Sequence, residues 1–137
     1  MSSVRESILV AIAGKLVTAN VADGRVYRTR REQIETLPAV EVELGGANAE
    51  ELARGAMDHR MTVEVRALAK GDTPDTAADP VLLAAHAALM ADLTLGLGNG
   101  VQLMPRFDAD PPEVEAYDYA RVTHRYTVTY RTDTGAF

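Results

Sequence analysis

Few residues of this 137-residue chain have the types and spacing that catalysis or metal binding requires. The chain has no cysteine, which excludes disulfides, thiolate zinc sites and cysteine nucleophiles. Its histidines have no partner at metal-ligand spacing. We expect His86 in a helix core or interface, His124 on the buried face of the last strand, and His59 near the start of a strand. The sequence therefore predicts no metal site.

Motifs for nucleophilic catalysis and nucleotide binding are also missing from the sequence. Serine occurs only near the start of the chain, and no Gly-x-Ser-x-Gly elbow is present. The glycines at 96, 98 and 100 follow a predicted helix, whereas a dinucleotide site needs a strand before its glycines and a helix after them. The acids Glu41, Glu43 and Glu64 fall on the exposed side of alternating strands, where no cleft is predicted. We predict that the protein is not an enzyme and that its function lies in its surfaces.

Composition favours one globular domain spanning residues 1–137, because 47% of the residues are hydrophobic and the length suits a single core. The longest apolar stretch, 81–91, contains His86 and is much shorter than the roughly 20 residues of a membrane helix. The sequence thus predicts no membrane span and no targeting segment. A formal net charge of −6 argues against binding nucleic acid through its phosphates.

Apolar spacing predicts two helices. Ser3 and Glu6 match a capping box, and an apolar stripe with a period of four residues follows them until about Thr18. Asp79 and Pro80 suit the start of the second helix, as an N-cap carboxylate followed by proline at the first helical position. The body of this helix, 81–93, is apolar almost all round, so it must be buried against the sheet or another subunit.

Alternation of apolar and polar residues predicts strands at 38–44, 58–69 and 122–131, with a shorter one at Val26-Tyr27 and a weaker one at 101–104. Gly45-Gly46 is expected to end the first long strand. A sheet with one buried face and one solvent-exposed face is typically antiparallel. The order of elements predicts an α+β fold, a mixed, mainly antiparallel sheet with two helices packed on one face.

A series of short motifs runs through nearly the whole chain. They are Asp23-Gly24-Arg25, Pro38-Ala39-Val40-x-Val42-x-Leu44-x-Gly46-Ala47, Glu64-Val65, Pro74-Asp75-x-x-x-Asp79 and Tyr126-x-Val128-Thr129-Tyr130. In their order, and with this length and acidity, the chain resembles the tail terminator proteins (minor tail protein U type) of long-tailed bacteriophages and prophages. Pro80 and the proline-containing loop at 105–112 depart from the family pattern.

The resemblance implies a structural role. Members of the family form hexameric rings that cap the tail tube, stop its polymerisation and present a surface to which the head joins. The implied partners are copies of the chain, the tail tube protein and a head-completion or connector protein. The implied location is the host cytoplasm during assembly and then the virion tail. Another small head–tail connector or tail-completion adaptor is the alternative, and it would stay monomeric until docked.

Three groups of charged residues are candidates for contacts in such a ring. Arginine offers a planar fork of donors for carboxylates across an interface, which favours a subunit or tube contact for Arg28, Arg30 and Arg31, in the loop between Gly24 and the strand at Pro38. A solvated loop of mixed charge is the simpler interpretation and stays open. DNA must pass through the lumen of such a ring without binding to it, so we expect the lumen wall to be acidic. The candidates for that wall are Glu41, Glu43, Glu50 and Glu51.

The third group precedes the second helix. Asp72, Asp75 and Asp79 crowd into one loop, and Asp79 has a structural role as the expected N-cap. Because hard divalent cations take oxygen ligands and relieve repulsion between acids, we expect Asp72 and Asp75 near a subunit contact where Mg²⁺ favours oligomerisation. The simpler interpretation, an exposed turn whose acids only cap the helix, stays open.

Overall fold

Two helices and a six-stranded sheet make up the part of the chain that the computed structural model describes. That part comprises residues 3–28, 36–53, 55–71, 73–98, 100–106, 113–116 and 119–133. The helices are α1 (Val4–Thr18) and α2 (Pro74–Met90), and the strands are β1 (Val26–Arg28), β2 (Ala39–Ala53), β3 (Ala56–Lys70), β4 (Gln102–Pro105), β5 (Glu113–Ala116) and β6 (Tyr119–Asp133).

The sheet is mixed and mainly antiparallel, as predicted. Its strand order is β1-β2-β3-β6-β4, with β5 also paired to β6. Only the short β1 runs parallel to its neighbour, and the other pairings are antiparallel. The long strands β2, β3 and β6 form the centre, so the α+β architecture is confirmed.

Both helices pack on one face of this sheet. Ile8, Ile12 and Leu16 of α1 belong to the same buried cluster as Leu89 of α2 and Val63 of β3. On β3 and β6 the inward positions follow the predicted alternation, and Met61, Val63, Tyr126, Val128 and Tyr130 are buried. This layer of helices leaves the opposite face of the sheet, here called the outer sheet face, without a helix among the described residues.

Helix α1 begins at the predicted cap, but only half of the capping box forms. The Oγ of Ser3 accepts a hydrogen bond from the Glu6 backbone N–H at 3.1 Å. The Glu6 carboxylate does not complete the box, because Arg28 of β1 binds both of its oxygens. The end of α1 at Thr18 agrees with the sequence prediction.

Helix α2 starts earlier than predicted. Its N-cap is Thr73 and its first residue is Pro74, so the expected N-cap role of Asp79 is wrong. Pro80 lies inside the helix. A proline there removes the N–H that would bond to the carbonyl four residues earlier, which belongs to Thr76. Thr76 is exposed, so water can satisfy that carbonyl and the helix continues through the proline.

Strand β2 is longer than predicted, because Gly45-Gly46 does not end it. The pairing with β3 continues to Ala53, with a bulge between Leu44 and Gly46. At Gly45 a Cβ atom would lie 2.9 Å from the Glu64 Oε1, so glycine permits the close approach of that side chain. The two glycines therefore bend the strand and make room for Glu64, while its hydrogen bonding continues.

The smaller strands and the apolar segments agree with the sequence. Strand β1 covers the expected Val26-Tyr27, and β4 falls within one residue of the predicted 101–104. Residues 107–112 of the expected proline-containing loop lie outside the described residues. In the ranges that are described, no helix is both long and apolar enough to cross a membrane.

Candidate assembly surfaces

The side of α1 that points away from the sheet is apolar. Its exposed residues are Val10, Gly14, Val17 and Thr18, and none of them carries a charge. The side chains of Val10 and Val17 are large for exposed positions, at 55% and 49% exposure. A helix on the surface of a monomer normally turns charged residues towards water. None of the fully exposed residues of α1 is charged, although Glu6 and Lys15 are partly exposed.

Helix α2 continues this surface. Leu83 is 67% exposed, and Ala84, Ala87 and Ala91 are exposed along the same side. Among the exposed α2 residues whose side chains are described, Asp79 alone is charged. The burial predicted for this helix is therefore found on the side that faces the sheet, while its apolar outward side is exposed. We call the outward sides of both helices the helical outer face, made by Val10, Gly14, Val17, Leu83, Ala84, Ala87 and Ala91.

A groove of about 590 Å³ runs between the two helices on this face. Small residues line much of it, including Ala11, Gly14, Ala88 and Ala91. Near its end, Lys15 Nζ lies 3.8 Å from the Asp92 carboxylate. The groove therefore presents an apolar floor with a single ion pair at its margin.

The outer sheet face is different, because a network of ion pairs occupies its centre. Arg66 of β3 lies at the centre: it binds Glu43, lies 3.3 Å from Glu64 and approaches Glu41 at 3.9 Å. Arg121 and Arg125 of β6 approach Glu41 and Glu64 at 3.8 and 3.5 Å. These six side chains, the Arg66 network, neutralise one another across three adjacent strands.

Two of the four acids predicted for the lumen wall, Glu41 and Glu43, have side chains on this face. Glu43 is half-buried and paired with Arg66, whereas Glu41 is only 7% exposed, so the expected exposure of Glu41 on a wet face is wrong. The reason is that Arg66 and Arg121 lie over its carboxylate. Glu50 and Glu51 lie in β2 opposite Asp58 and Met57, and their side chains are outside the described residues.

Arg28 lies where β1 meets α1, not in an exposed loop. Its Nη1 and Nη2 donate to the Glu6 carboxylate at 2.9 and 3.2 Å. These hydrogen bonds, and then the guanidinium charge, hold the pKa of Glu6 below its usual value. Arg30 and Arg31 lie outside the described residues, as does Asp72. Asp75 lies in the first turn of α2, and its side chain is not described.

A cluster of two histidines and a tyrosine, which the sequence analysis did not predict, joins α2 to the sheet. His86 Nδ1 lies 3.0 Å from the Tyr126 hydroxyl, and His124 Nδ1 lies 3.4 Å from the same oxygen. The two imidazole rings stack with centroids 5.5 Å apart. Burial, and then the neighbouring His86, lower the pKa of His124, and burial raises the pKa of Tyr126 to about 12. The signal available in the sequence was that all three lie on inward positions.

The third histidine has a separate environment. His59 is buried within β3, stacks on Tyr130 with centroids 4.6 Å apart, and lies 2.7 Å from the Thr132 hydroxyl. It does not share a site with the other histidines. Over the described ranges, no group of three or more His, Asp or Glu side chains is placed to hold a metal ion. The most distinctive surface is therefore the uncharged helical outer face.

The comparisons with known proteins give a likeness of fold. No family model matches the chain, and no curated protein matches it. A chain in a solved structure of the virion of a native gene transfer agent (GTA) particle is similar, with a TM-score of 0.51 and 17% sequence identity. The match covers 91% of this chain and 95% of that one. At this identity the likeness shows a shared fold.

Proposed function

We propose that this chain is a virion structural protein that forms a hexameric ring at the head-proximal end of a phage-like tail. There it caps the tail tube, ends its polymerisation and offers a surface to the head. The observation that carries this proposal is the helical outer face, on which Val10, Val17 and Leu83 are 55%, 49% and 67% exposed. Exposed apolar patches of this kind mark sites of protein–protein contact.

The fold supports the same role. A chain of this fold occurs in the virion of a gene transfer agent particle, and the likeness extends over 91% of the present chain. The order of motifs from Asp23-Gly24-Arg25 to Tyr126-x-Val128-Thr129-Tyr130 points to the tail terminators. We therefore assign the chain a role in assembly and not in catalysis.

The proposed partners are copies of the chain, the tail tube protein and a head-completion or connector protein. Assembly would take place in the host cytoplasm, and DNA would pass through the ring. The Arg66 network supplies a sheet face on which arginine charges are matched by carboxylates. Within this network each arginine lies near a carboxylate, so its charges are matched and it suits a wall that DNA slides past.

A role for Mg²⁺ in assembly is retained as part of the proposal. Asp75 lies in the first turn of α2, close in sequence to Asp72, and an interface that brought these acids together would favour a divalent cation. Asp75→Ala is expected to leave the monomer folded and to reduce the effect of added Mg²⁺ on sedimentation in the presence of tail tubes. If Mg²⁺ changed the sedimentation of wild type and variant equally, the proposed role of Mg²⁺ would be wrong.

Deletion of the gene tests the proposed function. Without the terminator, tubes are expected to lose their uniform length and to remain unjoined to heads, as measured by electron microscopy of negatively stained lysates. A plasmid copy of the gene should restore both properties. Tails of normal, uniform length that fail only to join heads would instead identify an adaptor and contradict the terminator role.

A further inference from the structure

We propose that copies of this chain join head to tail, with strand β4 of one copy seated on the helical outer face of the next. The inference rests on the proposed ring and names the two surfaces that would close it. Met104 of β4 is 54% exposed. The other large hydrophobic residues exposed in the described part of the chain, Val10, Val17, Leu83 and Leu93, lie on the helices or just after α2.

Gly14 is the first sign that another molecule approaches the helical outer face. It lies inside α1 and is exposed, and a Cβ atom at this position would meet nothing within 4 Å. Glycine inside a helix lowers stability relative to alanine. Because no packing within the described chain requires the missing side chain, we assign it to close approach by a partner along the groove.

Strand β4 supplies a matching surface. It is a short edge strand with the sequence Gln-Leu-Met-Pro, and it has no charged residue. Its backbone edge is largely closed, because the Leu103 N–H donates to the Leu93 carbonyl at 2.8 Å and Pro105 has no N–H to offer. A partner would therefore meet the side chains of this strand. Leu103 faces the core opposite Val128, whereas Gln102 and Met104 are exposed and pair with Thr129 and Thr127. Met104 therefore projects on the outer sheet face, at the edge of the sheet.

The two surfaces lie on opposite faces of the sheet, so they cannot meet within one molecule. If the helical outer face packed on its own copy, the contact would be two-fold and would close as a dimer, leaving Met104 exposed. Contact between β4 and the helical outer face uses both apolar surfaces, and each new copy offers them again. Such a heterologous contact closes into a ring when its rotation permits.

Disulfide trapping tests this arrangement in a chain that has no cysteine of its own. Ala87→Cys places a thiol one helical turn beyond Leu83, and Gln102→Cys places one beside Met104 on β4. Mixing the two single variants under mild oxidation should give a mixed dimer, while each variant alone should stay largely uncross-linked. The double variant should give a ladder on non-reducing gels that ends at the number of subunits in the ring.

Matched variants make the test decisive. Leu83→Asp in the double variant should abolish the ladder, while Lys70→Cys, at an exposed residue far along β3, should give no adduct with Ala87→Cys. Efficient cross-linking of Ala87→Cys alone would overturn the proposal in favour of a two-fold dimer. A mixed dimer no more abundant than with Lys70→Cys would overturn it outright. Tail length after gene deletion is measured in a separate experiment, so the proposed function can be confirmed or contradicted independently of this interface.

Discussion

Arg28 holds the carboxylate of Glu6 with two hydrogen bonds, of 2.9 and 3.2 Å, and thereby ties the edge strand β1 to the first turn of α1. A bidentate pair fixes both the distance and the orientation of the helix relative to the strand. It also gives Arg28 a role within the subunit, while the predicted contact between subunits stays a prediction. The sequence did not reveal the pair, because Glu6 lies 22 residues away and no local pattern links the two.

Loss of this pair should lower the stability of the subunit without changing its assembly. Arg28→Ala and Glu6→Gln are expected to lower the denaturant midpoint by similar small amounts, because both partners are partly exposed. The double variant should cost little more than either single one, as a double-mutant cycle would measure. The decrease in the denaturant midpoint should be smaller at a salt concentration of about 1 M, because salt screens the ion pair. An Arg28→Ala subunit that keeps its stability yet fails to complete tails would restore the interface role.

Acid should destabilise the fold through His124. Its folded-state pKa lies below the usual 6.5, so the unfolded chain binds more protons as the pH falls. The contribution of this neutral imidazole is complete above pH 6.5 and is lost as the pH falls through the folded-state pKa. Urea midpoints measured from pH 7.5 to 5.5 should therefore decrease.

His124→Phe is the matched variant for this effect, since it keeps an aromatic ring beside His86 and Tyr126 but cannot take up a proton. Its midpoint should depend less on pH than that of the wild type over the same range. Glu6, whose pKa is also lowered, loses its contribution only below about pH 4.5 and does not interfere. Identical slopes for the two proteins would refute the role of His124.

Arg66 should be the most costly charged residue to replace on the outer sheet face. Arg66→Met keeps an apolar stem but leaves Glu41 and Glu64, both largely buried, without their central cation. Truncating one partner of a buried ion pair is strongly destabilising, and for this slightly exposed site we expect a loss of roughly 2–3 kcal/mol in the free energy of unfolding. Arg60→Met, at an exposed residue of the same strand and face, should change it by less than about 0.5 kcal/mol. Equal losses would contradict the central position of Arg66.

Substitutions at Gly14 should separate folding from assembly. Gly14→Ala is expected to stabilise the monomer by about 0.5–1 kcal/mol, because alanine loses less backbone entropy in a helix and its Cβ meets no neighbour. Gly14→Gln should fold as well as Gly14→Ala and yet impair assembly, because its longer side chain would occupy the path of the partner. Analytical ultracentrifugation with tail tubes, alongside thermal melts, distinguishes the two effects. Normal assembly of Gly14→Gln would show that the groove is simply exposed.

Sequence periodicity predicted most of the fold, because most core positions of α1, β3 and β6 follow it, with Leu9 and Leu68 as buried exceptions. It failed at Pro80 and at Gly45-Gly46, where residues that usually end an element are tolerated. The exposure of Thr76, four residues before Pro80, and a bulge that accommodates Glu64 make that tolerance possible. The contact with Glu64 comes from another strand and cannot be read from the local sequence. The apolar surface of α2 could be predicted from its sequence. The burial of Glu41 could not, because it depends on arginines from two other strands.

The proposed ring, formed through unlike surfaces at the end of a tail, can be observed by cryo-electron microscopy of tails from the producing cell, with the chain located by a fused tag. We expect one closed ring of this chain at the head-proximal end, with β4 of each subunit against α1 and α2 of its neighbour. Tails that end there without this chain, or that carry it as separate copies with no contact between them, would show that it is not a ring-forming terminator.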